Sequence, residues 1–214
     1  MQPSRPVPVP PAARRTSRLP RGARRVQLLS AAQEVFVAQG FHAAAMDDIA
    51  DRAGVSKPVL YQHFPGKREL YLALLEQQVD ELTDRVRQAM AGTEDNRERV
   101  HGAVGAYYAF IDAEGEAFRL VFESDLRNDA EVRRVVDRGT WACTEAIAEV
   151  IAADTGADQE RALLLASGLT GLFESSARWR IAHKGTLSRE EAVSLMSTLA
   201  WRGISRFPRR DDGD

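Results

Sequence analysis

The chain has 214 residues, of which 44% are hydrophobic and 28% are charged. These values are typical of a globular protein with one large or two smaller domains, and they exclude a wholly disordered chain. The net charge of −2 hides an asymmetry, since residues 1–68 hold eleven Lys and Arg against four Asp and Glu. Such a basic N-terminal segment is expected when that segment alone binds a polyanion, although an unevenly charged solvated surface would give the same counts.

The single cysteine, Cys143, excludes an internal disulfide and is typical of a reducing cytosol. Its apolar neighbours predict a buried thiol rather than a nucleophile. The first 22 residues are interrupted by Pro and Arg and lack the apolar core of a signal peptide. The longest weakly polar run, 162–173, is too short to cross a bilayer, so we expect a soluble cytoplasmic protein with no membrane contact.

In chain order, residues 1–20 come first and contain six Pro and four Arg. This composition predicts a disordered basic arm, which either follows DNA or has no role. Helical periodicity follows from residue 21 onward, with no alternating pattern typical of strands, so the predicted fold is all-α. Helices are predicted over about 21–40 with a left-handed cap at Gly40, then 46–53, 56–64, from Lys67 to Gly92, 96–113, 115–127, 129–153, 158–183 and 188–206.

The segment 49–64 contains the physical parts of a helix-turn-helix. Ile49 and Leu60 can meet between two short helices, and Gly54 stands where the chain must adopt a positive φ. Ser56 is a suitable N-cap, and Pro58 falls in a first turn, where its missing N–H is not needed. An ordinary helical hairpin with a short turn would show the same spacing.

The run from Arg25 to Leu75 resembles the DNA-binding region of TetR-family transcriptional regulators. The residues that carry this resemblance are Ala31-Ala32, Phe36, Gly40-Phe41, Asp48-Ile49-Ala50, Ala53-Gly54-Val55-Ser56, Leu60-Tyr61, His63-Phe64, Lys67 and Leu70. The resemblance implies a three-helix headpiece over 21–68 and a larger helical domain over 69–214 that forms a homodimer and holds an effector pocket. Two headpieces would occupy successive major grooves of a near-palindromic operator in double-stranded DNA.

The residues of the third helix can be given individual roles on this basis. Lys57 is placed to contact phosphate or guanine, Pro58 and Val59 can touch a thymine methyl, and Gln62 can pair with adenine. The resemblance implies that Tyr61, His63 and Lys67 bind phosphates, although packing and solvent exposure are the alternative for Tyr61 and His63. The predicted DNA-binding set is therefore Ser56, Lys57, Pro58, Val59, Tyr61, Gln62, His63 and Lys67.

Two departures from the family pattern affect these roles. Ala44 and Ala45 stand where many relatives have a Thr that caps the second helix, so we expect Asp47 to supply part of that cap. Pro58 and Val59 replace a common Gly-Thr pair, which shifts base readout toward apolar contact. The operator sequence therefore cannot be taken from relatives.

The larger domain is expected to bury most of its aromatic side chains, Trp179 among them, and to enclose a small hydrophobic or amphipathic effector, as the resemblance implies. The last two long helices carry apolar faces and are the predicted dimer interface. The predicted effector-lining residues are Tyr107, Phe110, Phe118, Phe122, Trp141 and Phe173.

The leading interpretation is a ligand-responsive repressor with no cofactor and no metal. An enzyme is disfavoured because the four His lack metal-binding spacing and no phosphate loop or nucleophile elbow is present. A DNA-binding architectural or activating protein without an effector is the third possibility, and the headpiece alone does not separate it from a repressor.

Overall fold

A computed structural model describes residues 19–113, 129–183 and 186–204. Within these ranges the chain is all-α, as predicted, and none of the helices is long and apolar enough to cross a membrane. The predicted helix over 115–127 and the arm up to residue 18 lie outside them. The helices are α1 (Arg21–Ala43), α2 (Met46–Arg52), α3 (Lys57–His63), α4 (Lys67–Ala91), α5 (Asn96–Ala113), α6 (Ala130–Thr155), α7 (Gln159–Ala182) and α8 (Arg189–Ile204).

Local chemistry explains several of the helix boundaries. The Asp129 carboxylate caps α6 by accepting hydrogen bonds from the backbone N–H groups of Glu131 and Val132. Gly156 ends α6 with φ 68°, a conformation that glycine adopts without steric cost. At Gly40 (φ 77°, ψ 164°) the backbone leaves the helical conformation with a positive φ, so α1 consists of two helical segments that meet at a kink where the sequence predicted a helix end.

The first of two hydrophobic cores holds the headpiece together. Phe36 of α1, Ile49 of α2 and Leu60 of α3 are completely buried in it. The same cluster includes the first half of α4 and also Val132 and Val135 of α6. The N-terminal end of α6, a helix of the larger domain, therefore forms part of the headpiece core.

The second core is formed by the end of α4, by α5, by the C-terminal half of α6, and by α7 and α8. Tyr107, Phe110 and Phe173 are buried there, as predicted. The predicted burial of Trp141 and Trp179 is wrong, since the two side chains are 51% and 47% exposed. Trp141 lies on a face of α6 that is directed to solvent, while Trp179 stacks on His183 at the end of α7.

A close approach between α4 and α6 depends on Gly139. A Cβ atom at this buried position would overlap the methyl groups of Val79. We expect Gly139→Ala to lower the free energy of unfolding by about 1–3 kcal/mol, because the added methyl forces the two helices apart. Gly105→Ala in α5 is the control, because open space surrounds that Cβ and the change should add about 0.5–1 kcal/mol. Urea denaturation measures both; equal stability of Gly139→Ala and wild type would contradict the packing.

Candidate DNA-binding interface and effector cavity

The turn between α2 and α3 has the geometry that the sequence predicted. Gly54 has φ 64°, and its N–H donates to the Asp51 carbonyl at 3.0 Å. The next N–H, that of Val55, donates to the Ala50 carbonyl at 3.0 Å. Because Ala50 is small and fully buried, the two short helices can approach closely. This turn allows α3 to pack one face against the headpiece core.

α3 presents one buried face and one exposed face. Leu60 is buried inside the headpiece, and Phe64 follows it into the core at the end of the helix. Ser56 occupies the N-cap position with an extended backbone, but its side chain makes no cap hydrogen bond, so its predicted capping role is not observed. The predicted contact residues on the exposed face are Ser56, Lys57, Pro58, Tyr61 and Gln62, while Val59 and His63 are half-buried.

Lys57 is paired with Asp47 at the exposed edge between α2 and α3. The Lys57 ammonium donates to the Asp47 carboxylate at 2.5 Å, and this hydrogen bond raises the pKa of Lys57. The expected capping of α2 by Asp47 is wrong, since the N-cap residue is Ala45 and no side chain caps that helix. The carboxylate instead binds Lys57, the first residue of α3.

His63 lies beside a group of arginines from the first turns of α1. Burial lowers the pKa of His63, and the charges of Arg21, Arg25 and Arg24 lower it further. Arg25 also stacks on the neighbouring Phe64 ring, 4.7 Å from its centroid. The free headpiece therefore holds His63 largely neutral at neutral pH, next to a positively charged surface that suits a phosphate.

The predicted contact of His63 with a phosphate would give operator binding a pH dependence. A phosphate beside the imidazole would favour the imidazolium form, so the pKa of His63 would rise on binding and the complex would take up a proton. We expect operator affinity to increase severalfold as the pH falls from about 8 to about 6. Anisotropy titrations of wild type and His63→Gln measure this increase. Identical pH profiles for the two proteins would remove His63 from the interface.

Lys67, the first residue of α4, makes contacts within the headpiece. Its ammonium donates to the carbonyl oxygens of His42 and Ala44 at 3.0 and 2.8 Å, and it lies over the Phe41 ring. These bonds fasten α4 to the connection between α1 and α2. The predicted phosphate contact of Lys67 stays a prediction, and the structure shows a stabilising role that the sequence did not indicate.

Arg68 connects the headpiece to the larger domain. Its guanidinium binds both carboxylate oxygens of Asp129 at 3.0–3.1 Å and also contacts Glu131 at 2.8 Å. The pKa of Asp129 is lowered by the backbone N–H of Glu131 and also by Arg68. The residue that caps α6 is thus fixed to the first turn of α4, 61 positions away in the chain.

The larger domain contains an apolar cavity of about 110 Å³ between the end of α4 and helices α5, α6, α7 and α8. Of the predicted effector-lining residues, Phe173 lines it, whereas Tyr107 and Phe110 are buried outside it. The prediction for Trp141 is wrong because that side chain points to solvent, and Phe118 and Phe122 lie outside the described residues. The lining residues are Met90, Asn96, Arg99, Val100, Ala103, Ile147, Val150, Ile151, Asp154, Thr155, Leu169, Phe173 and Trp201.

A polar groove of about 460 Å³ adjoins this cavity and shares Trp201 with it. It runs between α5 and α8, and the described residues that line it include two arginines and no carboxylate. The lining residues are Arg97, His101, Ser194, Ser197, Thr198, Trp201 and Arg202.

Large apolar side chains are exposed on the last two helices. Leu164 of α7 is 75% exposed, and Leu195 and Leu199 of α8 are 58% and 56% exposed. Leu195 and Leu199 are one turn apart, so they form a continuous apolar strip. Such a strip is typical of a surface that another protein covers.

The comparisons with known proteins identify the family. The family model described as "Bacterial regulatory proteins, tetR family" matches residues 28–74, which include α2, α3 and the start of α4. Over 195 residues the chain is 48% identical to the HTH-type transcriptional activator FasR of Mycolicibacterium smegmatis, covering 91% of this chain and 89% of that protein. The chain belongs to the TetR family. It is therefore a DNA-binding transcriptional regulator and not an enzyme.

Other relatives agree with this membership. The HTH-type transcriptional repressor KstR2 of Rhodococcus jostii is 34% identical over 111 residues, 52% of this chain and 53% of that protein. The solved structure of a TetR-like transcriptional regulator from Rhodococcus sp. RHA1 matches 88% of this chain and 100% of its own, with 29% identity and a TM-score of 0.66. Bacillus subtilis FadR in complex with stearoyl-CoA shares the fold, with 15% identity, a TM-score of 0.63 and coverage of 82% and 95%.

Proposed function

We propose that this regulator binds a near-palindromic operator as a homodimer and that a small hydrophobic or amphipathic effector releases it from DNA. The observation that carries the proposal is the position of α6. Its C-terminal part lines the apolar cavity with Ile147 and Ile151, and its N-terminal part contributes Val132 and Val135 to the headpiece core. A ligand in the cavity therefore contacts a helix whose other end supports the DNA-binding unit.

The size of α3 and the apolar strip on α8 support dimerisation. α3 has seven residues, so one copy reads few bases and a second headpiece is needed for useful affinity. Pairing of α7 and α8 with the same helices of a second chain would cover Leu164, Leu195 and Leu199 in a four-helix contact. The symmetry of such a dimer matches a near-palindromic operator.

An effector acts on this dimer by favouring a conformation that fits the operator poorly. The cavity of about 110 Å³ is smaller than an engineered cavity of about 150 Å³ that holds benzene, so the cavity accommodates part of an alkyl chain before the surrounding helices move. Stearoyl-CoA bound to Bacillus subtilis FadR supports an acyl-bearing effector for this fold. Entry of a longer chain would displace α6, which reaches the headpiece.

The second candidate function is transcriptional activation, because FasR, which matches nearly the whole chain, is named an activator. Repression, the first candidate, and activation both depend on operator binding, and they differ in the position of the operator relative to the promoter. A reporter gene under the operator, measured with and without the regulator, distinguishes them. Lower expression with the regulator supports repression, and higher expression supports activation.

Filling the cavity tests effector control directly. Ala103 is buried and lines the cavity, so Ala103→Leu places a larger side chain where the ligand would lie. We expect this variant to bind the operator as wild type does, but to require at least tenfold more fatty acid for release. Anisotropy of a labelled operator, titrated with linear fatty acids of increasing length, measures the release. Wild-type sensitivity of a folded Ala103→Leu protein would contradict a role of the cavity in effector binding.

A further inference from the structure

An ion pair lies in the wall of the apolar cavity. Arg99, near the start of α5, and Asp154, in the last turn of α6, both line the cavity and are partly buried. The Arg99 Nη1 atom donates to the two carboxylate oxygens of Asp154 at 3.0 and 3.3 Å. Charged groups in an apolar wall are unfavourable unless each has a partner of opposite charge. A ligand that enters the cavity therefore meets an arginine that needs an anion beside it.

We propose that Arg99 binds the anionic head group of the effector and that this head group displaces Asp154. This inference rests on the proposed function and identifies the ligand as an amphiphile with an alkyl chain and a carboxylate or phosphate head. The alkyl chain occupies the apolar part of the cavity beside Phe173, and the head group takes the place of the Asp154 carboxylate on the guanidinium.

The hydrogen bonds of Arg99 favour this exchange. Its Nε atom donates to the Thr93 carbonyl at 2.8 Å, and Nη1 also donates to the Asn96 side chain at 3.0 Å. These bonds keep the guanidinium in position when Asp154 leaves, so the site is preorganised for another anion. The adjoining groove contributes Arg97, whose positive charge favours an anionic head group over a cationic one.

Displacement of Asp154 affects the end of α6. A carboxylate in the last turn of a helix is repelled by the negative end of the helix dipole, and Arg99 offsets that repulsion. Once a ligand takes Arg99, the C-terminal turn of α6 loses this stabilisation and its tie to α5. The opposite end of α6 is fixed to α4 by Arg68, so a shift of α6 is passed to the headpiece.

Trp201 reports binding, because it lines both the cavity and the groove. The chain has three tryptophans, and replacing Trp141 and Trp179 by Phe leaves Trp201 as the single fluorophore. In this background, octanoate and octyl phosphate, kept below their micelle concentrations, should bind about three- to tenfold more tightly than octanol. The tighter of the two anions identifies the head group as carboxylate or phosphate.

Two substitutions test the exchange from opposite sides. Asp154→Asn keeps the shape and removes the competing charge, so the affinity for the preferred anion should rise about three- to tenfold while that for octanol stays constant. Arg99→Gln should abolish the preference for anions, and Arg99→Lys should restore part of it. Arg133→Gln, at an exposed position of α6 outside both cavity and groove, is the matched control and should behave as the parent does.

The inference would be overturned if the three probes bind equally, if no probe binds, or if a folded Asp154→Asn protein has an unchanged affinity for the anion. A failure of the proposed function gives a different result. In that case the anions bind and Asp154→Asn raises their affinity, but saturating anion leaves the affinity for operator DNA unchanged.

Discussion

Replacement of Leu195 and Leu199 by Asp is expected to produce a monomer and to lower operator affinity at least a hundredfold. Both side chains are more than half exposed on α8, where the proposed dimer would bury them. Burial of two unpaired carboxylates opposes association, and loss of the partner removes half of the DNA contacts. Analytical ultracentrifugation measures the association state, and a gel-shift titration measures the affinity.

The matched control introduces Asp at Gln77 and Gln88, two exposed positions of α4. It adds the same charge and should leave both the dimer and the operator affinity close to wild type. If the protein with Asp at positions 195 and 199 remains a dimer, the dimer interface lies on another surface. A monomer with undiminished affinity would show that a single headpiece is sufficient.

The second large effect is expected for Lys57→Ala, which should weaken operator binding about a hundredfold. Lys57 lies at the front of α3 and is exposed except for its contact with Asp47. In the proposed dimer its removal would delete one predicted charge-assisted DNA contact in each of the two headpieces, so the operator complex would lose two contacts. It also leaves the Asp47 carboxylate unpaired beside the DNA phosphates. Anisotropy titrations at several salt concentrations measure the affinity and the salt slope.

Asp47→Asn is the control that separates the loss of the Lys57 contact from the effect of an unpaired Asp47 carboxylate. It frees the Lys57 ammonium and removes a negative charge from the interface, so binding to unrelated DNA should strengthen and its salt dependence should steepen. Operator discrimination should then fall, because phosphate contacts carry no sequence information. A Lys57→Ala protein that binds the operator as wild type does would exclude Lys57 from the interface.

The headpiece could be predicted from the sequence because its determinants are local. Gly54 requires a positive φ, Pro58 suits a first helical turn, and Ile49 and Leu60 recur at helical spacing. Each of these signals lies within sixteen residues of the others, so short-range geometry alone brings the residues together. The boundaries of the long helices follow for the same reason, as Gly156 illustrates.

Contacts between residues that are far apart in the chain could not be predicted in this way. Arg68 and Asp129 are 61 positions apart, and Arg99 and Asp154 are 55 positions apart, so their pairing depends on how the helices pack. The exposure of Trp141 likewise depends on which face of α6 meets α4 and α7. Sequence periodicity predicts that a face is apolar, but it does not predict which neighbouring helix covers it.

Docking of α3 into the major groove is the claim on which the rest depends. Selection of genomic fragments with the purified full chain, followed by guanine N7 methylation of the recovered operator, tests this claim most directly. The account predicts an inverted repeat whose half-sites lie about one helical turn, or a multiple of it, apart, and loss of binding when major-groove N7 atoms of the half-sites are methylated. Recovery of fragments without a shared repeat, or binding that N7 methylation leaves unchanged, would contradict it.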